Sequence, residues 1–153
     1  MDRLTQLPPA LSIKQPWVDL ILAGEKTIEV REWPIRRRGA ILVHASGRID
    51  WKTVELLGYD NVLELPRGGL VAIAEIREVV EFNRLTWLRT MARHRVIHPP
   101  VREPVYAVML GDVIRLPRRI PCRGRSMLFP VPPHVETRAR GELAALGLIE
   151  SAG

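Results

Sequence analysis

Alternating apolar and polar positions predict several short strands along this chain. The stretch 26–33 (KTIEVREW) alternates strictly, so Ile28 and Val30 point to one face and Glu29 and Arg31 to the other. The stretch 40–45 (AILVHA) is apolar enough to be buried on both faces. The predicted strands span 10–13, 26–33, 40–45, 70–82 and 105–110, the last continuing over 112–116.

Apolar residues at helical spacing separate these strands. Trp17, Leu20 and Ile21 recur at positions i, i+3 and i+4 of one helix face, directly after Pro16. The predicted helices span 17–23, 51–57, 84–94 and 136–149. Residues 117–133 are rich in proline and are predicted to form edge strands and loops, since proline cannot donate to a sheet ladder. The whole pattern predicts one α+β domain, a small barrel or curled sheet of five or six strands.

The chain is basic, and its positive charge lies mainly in arginines at two places. Its 153 residues include 23 Lys and Arg against 17 Asp and Glu, a formal net charge of +6. One cluster is Arg36–Arg38. The other lies within Val113–Val135, a stretch that contains no Asp or Glu. Because the arginine fork donates paired hydrogen bonds to phosphate, we expect an anionic partner, with nucleic acid first.

Composition also excludes several classes of protein. The single cysteine, Cys122, excludes a disulfide framework and any multi-cysteine zinc site. No apolar run is long enough to span a bilayer, and the N-terminal residues lack the apolar core of a signal peptide. We therefore predict a soluble, cytoplasmic protein with no membrane partner.

The most specific pattern lies in the segments 11–17 (LSIKQPW) and 24–31 (GEKTIEVR). The first contains Q-P-W, and the second has the form G-x-K-x-x-E-x-R. Trp33 follows, and then Arg38-Gly39 precedes the AILVHAS strand. Together these segments resemble the ASCH domain family, a branch of the PUA-like superfold. The resemblance covers roughly residues 10–133.

The resemblance implies a small PUA-like β-barrel of five to six strands with flanking helices and a cleft lined by the motif. It divides the chain into a short N-terminal arm (1–9), the ASCH domain (10–133) and a C-terminal helical tail (134–153). It also implies binding of RNA or another nucleotide-containing ligand. Within the family, some members resemble transcription coactivator modules, some act as ribonucleases, and some resemble amidohydrolases of acetylated cytidine.

The motif residues suggest a site for a nucleobase. Glu29 can accept a hydrogen bond from a base amino group, while Lys26 or Arg31 donates to a carbonyl. Trp17 and Trp33 offer stacking faces, and the arginine clusters would hold phosphates. The predicted nucleic-acid contacts are Lys14, Gln15, Trp17, Trp33, Arg36, Arg37, Arg38, Ser46, Arg119, Arg123 and Arg125.

Several alternatives stay open. Lys26, Glu29 and Arg31 can instead form a partly buried ion-pair network that fixes the strand. If the protein is an enzyme, a ribonuclease or an acetylcytidine amidohydrolase, these three residues are the catalytic candidates. The amidohydrolase branch has a threonine three residues after the lysine, whereas this chain has Glu29 there.

No cofactor and no metal site is predicted, although a divalent metal is possible for a nuclease. A cleft for a small anionic ligand is a third hypothesis, and the oligomeric state stays open. His44 lies on a presumed buried strand, where a lone histidine is more often a hydrogen-bonded core residue than a catalyst.

Overall fold

The apolar stretches of the sequence pair with one another in a single sheet of six strands. The computed structural model describes residues 1–100 and 102–151. Its strands are β1 (Ala10–Gln15), β2 (Ile28–Arg31), β3 (Gly39–Ile49), β4 (Gly69–Glu81), β5 (Tyr106–Pro121) and β6 (Leu128–Phe129). Their order is β2-β5-β4-β3-β1-β6. The β1–β3 pair is parallel and the other pairs are antiparallel, so the sheet is mixed.

The predicted α+β class is confirmed, but the predicted barrel is not, because the sheet does not close among the described residues. The hydrogen-bonded order ends at β2 on one side and at β6 on the other, and within the described residues these two strands do not pair. Both end strands are short, with four residues in β2 and two in β6. They therefore offer few backbone groups with which to close the sheet.

Strand β5 extends further than the sequence pattern predicts. It continues through Pro117 to Pro121, where edge strands and loops were expected to begin. The pairing with β2 covers only Tyr106–Met109, so the later part of β5 has β4 as its partner and an open second edge. The register with β4 also shifts between Leu70 and Ala72, opposite the segment that contains Pro117. A proline is tolerated there because the ladder is interrupted and one edge is open.

Five α-helices flank the sheet within the described residues, and no helix there is long and apolar enough to cross a membrane. They are α1 (Trp17–Leu22), α2 (Trp51–Leu57), α3 (Arg84–Arg89), α4 (Met91–His94) and α5 (Pro133–Ala145). The helix predicted over 84–94 is split at Thr90, whose backbone (φ −110°, ψ 14°) leaves the helical region. The C-terminal helix begins earlier than predicted and ends before Gly147, which takes φ +71° and cannot continue it.

The sheet has a separate apolar core on each face, because neighbouring strand residues point in opposite directions. Ala10 and Leu42 belong to the core that α5 covers with Val135, Ala139 and Leu143. The second core is built from Leu11, Ile13, Ile41 and Val43, and α1 covers it with Val18 and Ile21. This second face holds α1 and the turn after it, and so positions the motif residues.

Candidate functional site

A cleft of about 990 Å³ opens where the motif segments meet two loops, one described over residues 96–100 and 102–105 and the other over residues 123–126. Its floor comes from β1, the Lys26 turn and β2, and its walls come from the end of β3 and from those two loops. The polar, charged and aromatic residues of the lining include Ser12, Lys14, Trp17, Lys26, Glu29, Arg31, Glu32, Trp33, His44, Ser46, Arg48, Asp50, His98, Arg102, Arg123 and Arg125, and Gly124 lies among them.

The three motif residues lie together on the floor of this cleft. Arg31 Nη1 is 3.2 Å from Glu29 Oε2, and Lys26 Nζ is 3.6 Å from Glu29 Oε1. Glu29 and Arg31 lie two residues apart on β2, so their side chains share one face, as the alternation predicts. Lys26 and Glu29 are 1% and 5% exposed, whereas the Arg31 side chain is 23% exposed. Arg31 is therefore the member of this network that offers most surface to a ligand.

The turn after α1 places the Lys26 side chain in the protein interior. Gly24 adopts φ +77°, and the backbone N–H groups of Glu25 and Lys26 both donate to the Leu20 carbonyl oxygen. The Lys26 ammonium then donates to the backbone oxygen of His94 at 2.6 Å. Burial lowers the pKa of Lys26 from 10.5 to about 8, although Glu29 opposes this shift. The nearby positive charge of Arg31 also lowers this pKa, but less than burial does.

Trp17 is held between the buried lysine and an acidic helix cap. The Lys26 ammonium lies 4.6 Å from the centroid of the Trp17 ring, a cation–π contact. The indole Nε1 donates to Asp50 Oδ2 at 3.1 Å. Asp50 also caps α2 by accepting from the Thr53 backbone N–H at 3.1 Å. Burial opposes ionisation of Asp50, but the hydrogen bonds from Thr53 and Trp17 outweigh it and lower the pKa of this carboxyl.

Exposed cations are concentrated at the rim of the cleft. Among the described residues, seven Lys or Arg and three Asp or Glu line the cleft. Five of the cations are exposed and make no salt bridge within the part of the chain that the structure describes. These five are Lys14, Arg48, Arg102, Arg123 and Arg125. The cleft therefore presents uncompensated positive charge around a hydrogen-bonding floor, which favours an anionic ligand.

Other residues predicted to contact nucleic acid lie outside the lining of this cleft. Gln15 is fully buried and bonds the backbone at Pro66 and Asp19. Within the Arg36–Arg38 loop, Arg37 donates to the Ala40 carbonyl oxygen and Arg38 pairs with Glu78 at 2.9 Å. Arg119 donates to the Arg67 carbonyl oxygen. The structure thus brings together Lys14, Trp17, Lys26, Glu29, Arg31, Trp33, Ser46, Arg123 and Arg125 and leaves Gln15, Arg36, Arg37, Arg38 and Arg119 apart from them.

Sequence reasoning missed two contributions to the cleft. Arg48, His98 and Arg102 add to its wall, yet no motif marks these positions. Ser12 and His44 lie opposite each other on the paired strands β1 and β3, with Ser12 Oγ 2.9 Å from His44 Nδ1. A pattern within a single segment does not reveal such a pair, because the parallel pairing of β1 and β3 is what brings the two residues together.

No group of three or more His, Cys, Asp or Glu side chains that could hold a metal ion occurs within residues 1–100 and 102–151. The acidic lining residues Glu29, Glu32 and Asp50 are distributed around the cleft. Glu29 is engaged with Lys26 and Arg31, and Asp50 with Trp17 and Thr53.

The fold and the motif cleft together are those of a PUA-like domain. The family model for the ASCH domain matches residues 11–113, more than half of the chain. The chain therefore belongs to the ASCH family, whose PUA-like domain is generally thought to bind RNA. The resemblance predicted from Q-P-W and G-x-K-x-x-E-x-R is confirmed.

Solved structures of an ASCH protein from Zymomonas mobilis share this fold. The crystal structure of that protein has a TM-score of 0.63 and 15% sequence identity, covering 94% of this chain and 98% of that one. A Tyr-to-Phe mutant has the same TM-score and identity and covers 92% and 99%, and a Ser-to-Ala mutant covers 91% and 95%. No curated protein sequence matches this chain significantly. At 15% identity these structures show the fold.

Proposed function

We propose that this protein binds single-stranded RNA, holding a base in the motif cleft and the flanking phosphates at its rim. The observation that carries the proposal is the juxtaposition of the Glu29–Arg31 floor and two tryptophans with exposed cations that make no salt bridge among the described residues. Cations provide affinity without reading sequence, whereas the floor offers donors and acceptors to a base edge. Single-stranded RNA fits better than a duplex, because only an unstacked base can enter such a cleft edge-first.

The floor network has a defined place in this proposal. Lys26 and Glu29 are almost fully buried, so their main effect is to fix the orientation of the Arg31 guanidinium. Arg31 then donates to a base carbonyl or to a phosphate, since its fork has more donors than Glu29 uses. An ion-pair network that stabilises the strand and a binding site for a base are therefore compatible in this cleft.

Stacking on a tryptophan is tested by a matched pair of variants. Trp33 lines the cleft, whereas Trp51 is 56% exposed on α2 and lies outside the lining. We expect Trp33→Ala to weaken binding of a fluorescently labelled single-stranded RNA by about 1–3 kcal/mol, the typical value of one base stacked on an aromatic side chain. Fluorescence anisotropy measures both affinities. Equal affinities for Trp33→Ala and Trp51→Ala would rule out stacking on Trp33.

RNA cleavage is the second candidate, favoured by the lowered pKa of Lys26. With a pKa of about 8, part of this amine is neutral near neutral pH and can accept a proton. Incubation of labelled RNA with wild type and with Lys26→Met, with and without a divalent metal, tests this candidate. Cleavage by wild type alone supports it, and intact RNA in every reaction excludes it.

The amidohydrolase alternative has less support in the cleft. Glu29 occupies the position at which that branch has its threonine. The adjacent Thr27 lies outside the cleft lining, and its Oγ1 accepts from Arg93 Nε at 3.3 Å. A hydroxyl that already bonds a neighbouring arginine outside the cleft is poorly placed to attack a ligand held within it.

A further inference from the structure

A serine and a histidine that the RNA-binding proposal does not use lie at the back of the cleft. Ser12 on β1 and His44 on β3 face each other across the parallel pair, and both line the cleft. The Ser12 hydroxyl oxygen is 2.9 Å from His44 Nδ1. His44 is 1% exposed, whereas Ser12 is partly exposed. A ligand in the cleft therefore meets the serine first, and the imidazole lies behind it.

The hydrogen bonds of His44 fix which ring nitrogen carries the proton. His44 Nε2 lies 2.6 Å from the backbone carbonyl oxygen of Cys122, which can only accept. Nε2 must therefore be protonated, and in the neutral ring Nδ1 is the acceptor for the Ser12 hydroxyl. Burial lowers the pKa of His44, which favours this neutral ring at pH 7. The result is a nucleophile, a base and a group that orients the base, in the geometry of activated serines.

The loop that contains Gly124 packs closely against the Ser12–His44 pair. A Cβ at this position would lie 2.9 Å from Ser12 Oγ and 2.7 Å from His44 Cε1. Any side chain there would press on the pair, whereas glycine allows the loop to pass over it. Arg31 approaches from β2, where its Nη1 donates to the Ser12 backbone oxygen at 3.4 Å. A guanidinium, a group that can stabilise a developing oxyanion, thus lies beside the backbone of the serine.

We propose that Ser12, with His44 as its base, hydrolyses a carboxylic ester carried on a hydroxyl group of a nucleotide in this cleft. The choice of a nucleotide rests on the proposed function, whereas the choice of an ester rests on the Ser12–His44 pair. Cleavage of RNA by attack of its own 2′-hydroxyl would give Ser12 no role, whereas the hydroxyl that bonds His44 Nδ1 is that of the serine. An attack by the serine itself on a carbonyl carbon fits the observed geometry.

The reaction proceeds in two balanced steps. Ser12 Oγ bonds to the ester carbon while its proton passes to His44 Nδ1, and the oxyanion faces Arg31. The bond from carbon to the nucleotide oxygen then breaks, and that oxygen takes the proton from His44. Water next attacks the acyl-serine and gives a proton to Nδ1, which returns it to Ser12 Oγ as the acyl bond breaks. The products are a carboxylic acid and the free nucleotide hydroxyl.

A fluorophosphonate probe, which reacts with activated serines, tests the nucleophile directly. We expect mass spectrometry of the labelled wild-type protein to locate the probe on Ser12. Ser151→Ala, which removes an exposed serine outside the cleft lining, should label at the wild-type rate. Ser12→Ala should not label, and His44→Gln should label about 10²–10⁴ times more slowly, the usual contribution of a general base. An unlabelled wild type, or label on another serine, would overturn the proposal.

The substrate class is tested with 3′-O-acetyl adenosine 5′-monophosphate. Release of acetate by wild type, lost in Ser12→Ala, supports an esterase, and no release by wild type overturns it. RNA affinity is measured on the same proteins. If RNA binding persists while labelling and acetate release are both absent, the esterase fails and the RNA-binding proposal stands. If labelling and acetate release occur without RNA binding, the RNA-binding proposal fails and the esterase stands.

Discussion

The residue with the most distinctive environment is Lys26, a buried lysine whose ammonium contacts Glu29, Trp17 and the His94 carbonyl oxygen. Removing a charge from water costs several kcal/mol unless partners compensate, and here compensation is incomplete. The lowered pKa of Lys26 shows that the contacts with these partners do not fully offset the cost of burying the ammonium. The chain retains a costly group at the floor of its cleft, where it orients Glu29 and, through it, Arg31.

The lowered pKa of Lys26 predicts how stability depends on pH. Between pH 8 and 10.5 the unfolded chain binds a proton at Lys26 that the folded chain has lost, so raising the pH favours the folded state. Relative to Lys26→Met, we expect wild type to gain on the order of 3 kcal/mol across this range and to show a constant difference at lower pH. Urea denaturation at several pH values measures the difference. A difference that does not vary with pH would contradict the lowered pKa.

Gly124 is a second residue with a specific requirement. An alanine there would place Cβ 2.7 Å from the buried His44 ring, which is bonded at both nitrogens and cannot move away cheaply. We expect Gly124→Ala to lower the free energy of unfolding by about 1–3 kcal/mol, as overpacking commonly does. Gly47, which has no atom within 4 Å of the same Cβ position, gives the control. Equal stability of Gly124→Ala and Gly47→Ala in urea denaturation would show that the loop is not tightly packed there.

At the residue scale, the motif predicted the floor of the site but not its back wall. Glu29 and Arg31 are neighbours on one strand, so alternation alone places them together. His44 was predicted to be a core histidine, and it is buried with both nitrogens bonded. Its partner Ser12 is 32 residues away along the chain. No periodicity encodes a contact of that kind, because it depends on which strands pair.

At the scale of elements, α2 shows how a local cap also serves the site. Asp50 accepts from Thr53 at the start of the helix and from the Trp17 indole at the cleft. The cap is a local pattern, because Asp50 directly precedes the helix that was predicted over 51–57. The contact to Trp17 is long-range and was not predicted. The α2 cap therefore couples the end of β3 to a potential stacking surface.

Removal of this cap is expected to cost stability. Asp50→Ala should lower the free energy of unfolding by about 1 kcal/mol, within the 0.5–2 kcal/mol range of lost N-caps. Asp50→Asn should retain most of this free energy of unfolding, because the amide oxygen of asparagine still caps the helix. Thermal or urea denaturation of the three proteins provides the measurement. A loss in Asp50→Asn as large as that in Asp50→Ala would show that the carboxylate charge, and not the cap, provides the stability.

The strand and helix predictions failed where tertiary structure overrides local preference. The helix predicted over 84–94 divides at Thr90, where α4 turns to present the His94 carbonyl oxygen to Lys26. Strand β5 continues through Pro117, since its second edge is open at that point. In both cases the competing factor is a distant partner. Such partners are invisible to a window of local sequence.

At the scale of the whole molecule, the net charge of +6 resolves into distinct surfaces. Arg123 and Arg125 belong to the cleft rim, whereas the Arg36–Arg38 loop and Arg119 lie outside the lining. The sequence predicted both arginine clusters but not their separation, because it contains no information on which loops flank one cleft. An anionic ligand is therefore expected to depend unequally on arginines that look equivalent in the sequence.

The salt dependence of RNA binding tests the central claim most directly. The cleft variant Arg123→Gln/Arg125→Gln is compared with Arg138→Gln/Arg140→Gln, which removes the same charge from α5, away from the cleft. Affinity for a labelled single-stranded RNA is measured by anisotropy between about 50 and 200 mM salt. The cleft account predicts that the slope of log affinity against log salt becomes shallower by about 1.4 in the cleft variant, roughly 0.7 for each lost phosphate contact, and stays unchanged in the control. Equal slopes in the two variants would contradict it.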